Sequence, residues 1–212
     1  MDRYELCLLS SAAKDPKIGE TATRYLNLRN MMSDACAEEK LRFRKEFSNY
    51  YRLHAAFLSK EWKDKYFELL FSFGEKMPPE AHRVALLELS KFPRLKGDEA
   101  AQFSFVSKLV GIHDEQQPIF DRFVQHFFGL GPPSLGPLEF RISGFVRNLN
   151  EIAMRYRIWI EYEPFAAIIR ELRCKYPHMA ECHPHRICDW LVWIVGKDYE
   201  TQKSKREMAK GV

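Results

Sequence analysis

Large apolar side chains recur along this chain at steps of three and four residues, and that period constrains the fold more than any other feature. Phe43, Phe47, Tyr50, Tyr51, His54 and Leu58 form one such stripe within residues 37–58. Trp62, Tyr66, Leu69, Leu70 and Phe73 form the next, and Phe145, Leu149, Ile152, Ala153, Tyr156 and Ile160 another. A helix turns once in about 3.6 residues, so each set lies on one side of a helix and needs a neighbour to cover it. Strict alternation, the mark of a strand, occurs only at Ile158, Ile160 and Tyr162 and leaves a short strand open there. The expected fold class is therefore all-α, a multi-helical globule of roughly ten helices.

Punctuation residues divide the stripes. Residues 16–33 carry Ile18, Ala22, Tyr25, Leu26 and Met32 near one side. Ser59 is a natural cap for the helix holding Trp62, Gly74 a natural stop, and Pro78-Pro79 a restart for residues 79–91. After the turn Phe92–Gly97, Asp98 caps residues 99–111, and Pro118 opens a helix containing Ile119, Phe123, Phe127 and Phe128. Gly129 to Pro137 holds three glycines and three prolines and is the best subdomain boundary. It separates an N-terminal lobe, 1–128, from a C-terminal lobe, 138–196, packed on it. Pro164 begins one late helix and Pro184 precedes the last, which Gly196 is expected to close. Residues 197–212 read as a frayed tail.

Composition narrows the class. Sixteen Phe, nine Tyr and four Trp imply a core rich in rings. No run of 18 apolar residues exists, so no membrane span is expected. Met1 to Glu5 lacks a basic region leading into an apolar one, and the five cysteines are an odd number. Both features point to a cytoplasmic chain with reduced thiols. The net charge of +4 is mildly basic and leaves room for a local cationic patch on a mixed surface. Phosphate-binding glycine loops, nucleophile elbows and metalloprotease helix signatures are all absent from the sequence.

One stretch goes beyond generic helix. It runs from Leu86, Leu87 and Leu89 through Phe92-Pro93-Arg94-Leu95-Lys96-Gly97 into Asp98, and on to Pro118-Ile119-Phe120-Asp121. This order resembles the helix-hairpin-helix DNA glycosylases. It is closer still to uncharacterised bacterial proteins of that fold, whose Ser-Lys pair and Pro-Ile-Tyr-Asp are similar to Ser107-Lys108 and Pro118-Ile119-Phe120-Asp121. The stretch Arg186-Ile187-Cys188-Asp189-Trp190-Leu191-Val192-Trp193 is similar to a late-helix motif of the same proteins. The resemblance implies duplex DNA contacted by the hairpin through backbone N–H groups, an aspartate that assists sugar chemistry, and a pocket for an extruded base. Arg94 and Lys96 stand where the hairpin's glycines would be, and the position of the family's nucleophilic lysine falls near Asp98. Schiff-base lyase chemistry is therefore not expected.

The candidate residues follow. Arg94, Lys96, Gly97 and Lys108 are the candidate DNA contacts, and Asp121 is the candidate catalytic group. Asp121 also reads as a helix cap or as an ion-pair partner of Lys108, and Ser107 as a hydroxyl bonded to its own backbone. Cys174, His178, Cys182, His183, His185 and Cys188 crowd one region. Cys182, His185 and Cys188 are the set that would hold zinc, but no Cys-x-x-Cys pair occurs, and the reading here is buried thiols with no metal and no cofactor. Arg42, Arg44, Lys45 and Arg52 mix with aromatics, whose period turns them inward. Three functions remain: a DNA-associated protein without catalysis, a helical protein-interaction module, and a monofunctional glycosylase using Asp121.

Overall fold

The computed structural model describes residues 1–33, 37–55, 58–92, 100–131 and 136–210. Helix α1 (Arg3–Ala12) starts at a capping box, in which the Asp2 carboxylate accepts the Glu5 N–H and the Glu5 carboxylate accepts the Asp2 N–H. Helices α2 (Lys17–Ser33), α3 (Ala37–Tyr50), α4 (Lys60–Glu75), α5 (Ala81–Leu89) and α6 (Ala100–His113) follow. They are succeeded by α7 (Arg122–Phe128), α8 (Leu138–Glu161), α9 (Glu163–Lys175) and α10 (Pro184–Lys210). Short 3-10 turns lie at Leu53–Ala55 and Pro177–Glu181. The described residues thus form an all-α fold without strands, and no helix among them is long and apolar enough to cross a membrane.

The stripes behave as their period requires. Phe43 and Phe47 of α3 and Trp62, Tyr66 and Leu70 of α4 are fully buried against each other, with Ser59 capping α4. Four boundaries differ from expectation. Helix α3 ends at Tyr50 rather than continuing to residue 58, because Arg52 takes a left-handed backbone (φ 56) that turns the chain. Residues 157–161 are helical, not a strand, since Trp159 at 2 % exposure holds the last turns of α8 in the core. Pro118 precedes α7 by four residues, and Asp121 is its cap rather than a member of its first turn. Gly196 lies inside α10, which runs from Pro184 to Lys210, rather than closing it.

The last point explains the architecture. A Cβ on Gly196 would stand 2.2 Å from the Phe123 carbonyl oxygen, so the glycine exists to let α7 lie directly on α10. Helix α10 also packs on α1, α2 and α8, so elements from both sides of the Gly/Pro-rich connection share it. The buried core is one cluster reaching from Leu9 to Ile194.

Candidate functional site

The first turns of α10 carry a buried ion pair. Arg186 and Asp189, 1 % and 3 % exposed, meet at 2.5 Å. The guanidinium Nη2 donates to the Gly111 carbonyl at 2.7 Å and to the Gln117 carbonyl at 3.3 Å. The other Asp189 oxygen accepts the Ile119 N–H at 3.1 Å and the Tyr156 hydroxyl at 3.0 Å. Gly111 makes room for this, since a Cβ there would lie 2.9 Å from Arg186 Nη2. Burial pushes the Asp189 carboxyl up, to about 7, against the pull of Arg186, the Ile119 N–H and the Tyr156 hydroxyl. Burial also opposes the Arg186 charge, but Tyr25 and Asp189 prevail and hold the guanidinium above its ordinary range.

This network suspends the segment between α6 and α7. Ile119 hangs from Asp189, and the Phe120 N–H donates to Ser107 Oγ at 2.9 Å, while that hydroxyl donates to the Ser104 carbonyl. Asp121 then caps α7: its Oδ1 accepts the N–H groups of Phe123 (3.0 Å) and Val124 (3.1 Å). Two consecutive backbone N–H groups are thus satisfied by side chains from different helices, which fixes where the half-buried Asp121 stands.

Asp121 lines a cleft of about 700 Å³ between α2, the end of α3, α6, α7 and α10. Lys108 of α6, only 8 % exposed, lines it too. Its Nζ donates to Ser104 Oγ at 3.0 Å and lies 5.8 Å from the Tyr51 ring centre and 5.2 Å from that of Phe105. Burial lowers the Lys108 ammonium below its ordinary value, Asp121 opposes that shift through space, and Arg52 adds to it. Tyr50, Tyr51, Phe105, Trp190 and Trp193 supply aromatic walls. Exposed Lys17, Arg24, Arg52 and Arg122 outnumber the acids Asp15, Glu20 and Asp198 around the opening. Arg24 stacks over Tyr50 and Lys197 over Trp193, at 5.6 and 5.0 Å.

The residues singled out in the sequence divide clearly. Lys108 and Asp121 meet in this cleft, but Lys108 Nζ bonds Ser104 and makes no ion pair within 4 Å of Asp121. Arg94, Lys96 and Gly97 lie outside the described residues. Ser107 does bond its own helix, and it also holds Phe120. The Arg186–Trp193 stretch contributes an ion pair and two aromatic walls. Sequence reasoning missed the roles of Arg186, Tyr50 and Tyr51. The Arg186/Asp189 spacing on an otherwise apolar helix was the available signal, because such charges are buried only when paired.

The thiol and imidazole cluster does not converge. Cys182 and Cys188 are buried, and burial pushes the Cys182 thiol up to about 12. His185 Nδ1 sits 2.9 Å from the Gln116 carbonyl and His178 Nε2 3.2 Å from Thr23 Oγ1. Among the described residues no three of His, Cys, Asp and Glu are placed to hold a metal ion, so Cys182, His185 and Cys188 do not form the zinc set considered from spacing. Comparison of the chain with protein-family models, curated proteins and solved structures finds no match in any of the three.

Proposed function

We propose that this chain is a nucleic-acid-associated protein whose cleft receives a single unstacked base. One observation carries the reading: Lys108, buried and short of acceptors, shares an aromatic-walled, cation-rimmed cleft with the fixed carboxylate of Asp121. Rings such as Tyr50, Tyr51 and Trp193 suit a planar base, and base–aromatic stacking contributes roughly 1–3 kcal/mol per base. The exposed Lys17, Arg24, Arg52 and Arg122 suit the phosphates on either side. Catalysis is not required. A glycosylase role for Asp121 has one support of its own: Oδ1 takes both cap bonds, which leaves Oδ2 for a ligand.

The test is affinity for duplexes with and without an unpaired base, across salt concentration. Binding that weakens steeply with salt and tightens for the unpaired base supports the proposal; no binding at low salt sinks it. Asp121→Ser keeps a capping oxygen and removes the carboxylate. Stability should stay within about 0.5 kcal/mol, whereas affinity for the unpaired base should drop. Base release that disappears in this variant would establish the enzymatic reading.

A second reading, a protein-interaction module, rests on Met154 and Ile158 of α8 and Tyr162 at its C-terminal cap, spaced four residues apart and 54, 51 and 43 % exposed. Self-association or partner capture lost in Ile158→Glu, with duplex affinity unchanged, would favour it.

A further inference from the structure

We propose that the cleft selects guanine-type over adenine-type purines, through the two N–H donors of Lys108 not used by Ser104. The inference rests on the proposed base-binding role of the same cleft and adds its specificity.

An ammonium has three N–H donors and no acceptor. Ser104 Oγ accepts one from Lys108, at 3.0 Å. Tyr51 and Phe105 flank the amine with ring faces, which attract its charge but accept no strong hydrogen bond. No carboxylate lies within ion-pairing distance of Lys108 among the described residues, although Asp121 acts on it through space. The side chain is more than nine-tenths buried, and what remains open of the amine faces the cleft. The amine lines an open cleft, and the natural completion is a ligand edge carrying two neighbouring acceptors.

Guanine O6 and N7 form such an edge, and a lysine bonded to both is among the commonest specific contacts to DNA. Hypoxanthine carries the same pair. Adenine replaces O6 with an amino donor, which would face the ammonium donor to donor. Cytosine has neighbouring acceptors of its own, N3 and O2, so the discriminating contrast is between the two kinds of purine. Thymine separates its two carbonyl acceptors with an N3–H donor. A purine oxidised at C8 carries a hydrogen on N7 and loses half the pair. Discrimination should be large, because a buried donor left without an acceptor is costly.

The experiment titrates the full chain with GMP, IMP, AMP, CMP, UMP and 7-deaza-GMP by calorimetry. A parallel arm uses duplexes with one unpaired guanine, adenine or C8-oxidised guanine. The expected result is GMP and IMP bound at least about tenfold more tightly than AMP or UMP, with 7-deaza-GMP reduced to the AMP level. Lys108→Met should retain fold and residual stacking affinity but abolish the preference; Lys108→Arg, which keeps two donors available, should retain part of it. Preference in the duplex arm alone identifies a base within a strand as the ligand, and preference in both arms admits the free nucleotide. Equal affinity for GMP and AMP, or a preference that survives in Lys108→Met, overturns the proposal. Nucleotides or duplexes bound without base preference remove only the specificity, whereas no binding in either arm removes the base-binding reading as well.

Discussion

Asp189 accepts the backbone N–H of Ile119 across 70 residues of chain, and through that one bond a carboxylate on α10 determines where Asp121 can stand. The same carboxylate is paired with Arg186 and bonded by Tyr156, all three nearly inaccessible to water. Removing one charge of such a pair leaves the other buried and uncompensated, at a cost of roughly 3–5 kcal/mol. Asp189→Leu should therefore lower unfolding free energy by about that amount, measured by urea denaturation. The double variant Arg186→Met/Asp189→Leu should recover most of the loss. Tyr156→Phe removes one hydrogen bond and should cost on the order of 1 kcal/mol. Asp189→Leu at under about 1 kcal/mol would mean that the pair does not anchor the segment.

Gly196 makes a steric prediction. A Cβ there would meet the Phe123 carbonyl oxygen at 2.2 Å and its carbon at 2.7 Å, and backbone cannot rotate away as a side-chain tip can. Gly196→Ala should force α7 off α10 and cost on the order of 1–3 kcal/mol. Because Asp121 caps α7, affinity of the cleft for its ligand should fall as well. Gly129 provides the contrast: φ is +64 and nothing lies within 4 Å of its Cβ position, so Gly129→Ala should cost only the conformational strain, about 1 kcal/mol, and spare the cleft. Thermal unfolding of both variants, with ligand titration, separates the two causes.

How far the sequence could be read depended on which force set each feature. The all-α class was legible because amphipathic period is a local pattern, and Ser59 and Pro164 marked helix starts through local capping chemistry, whereas Pro118 put the start of α7 four residues too early. Helix ends were less legible. Gly196 reads as a stop, yet tertiary contact with Phe123 requires the glycine in mid-helix, and no local signal distinguishes the two uses. The Asp2/Glu5 capping box of α1 was present in the sequence and passed over. Lys108 and Asp121 were found as individual residues, but their common cleft depends on Asp189 and Ser107 holding residues 119 and 120 from two helices. Tyr50 and Tyr51 fit the inward period of residues 37–58, and that period does not show that they also line a cleft.

His82 gives a pH dependence with a defined sign. Its ring stands edge-on to Phe145 at 5.6 Å, and Nε2 is buried without a hydrogen-bond partner. Burial lowers the imidazole from 6.5 to about 4, with Asp114 opposing. The unfolded chain therefore takes up the proton first as pH falls, so stability is retained above the ordinary histidine value and lost between roughly pH 6.5 and 4. The loss attributable to His82 should reach roughly 2–3 kcal/mol. In His82→Phe the fall in unfolding free energy across this window should be shallower by that amount, and an unchanged slope would show that the ring is free to protonate in place.

Lys108 is the residue at which binding and stability should part. A nearly buried ammonium with one hydrogen-bond acceptor and no ion pair within 4 Å opposes folding, because water solvates it better than Ser104 and two ring faces do. Its folded value lies below the ordinary 10.5, so between the two the unfolded chain holds the extra proton. Stability then rises with pH through that window, and the full penalty is present below it. Lys108→Met keeps the length and apolar bulk of the side chain and removes the charge. It should raise unfolding free energy at pH 7 by on the order of 1 kcal/mol, and it should abolish the alkaline rise seen with lysine. A residue that lowers stability while completing a cleft is explained by what it binds. If Lys108→Met were instead destabilising by more than about 1 kcal/mol, the amine would belong to the scaffold, and the cleft would have lost its principal claim to a ligand.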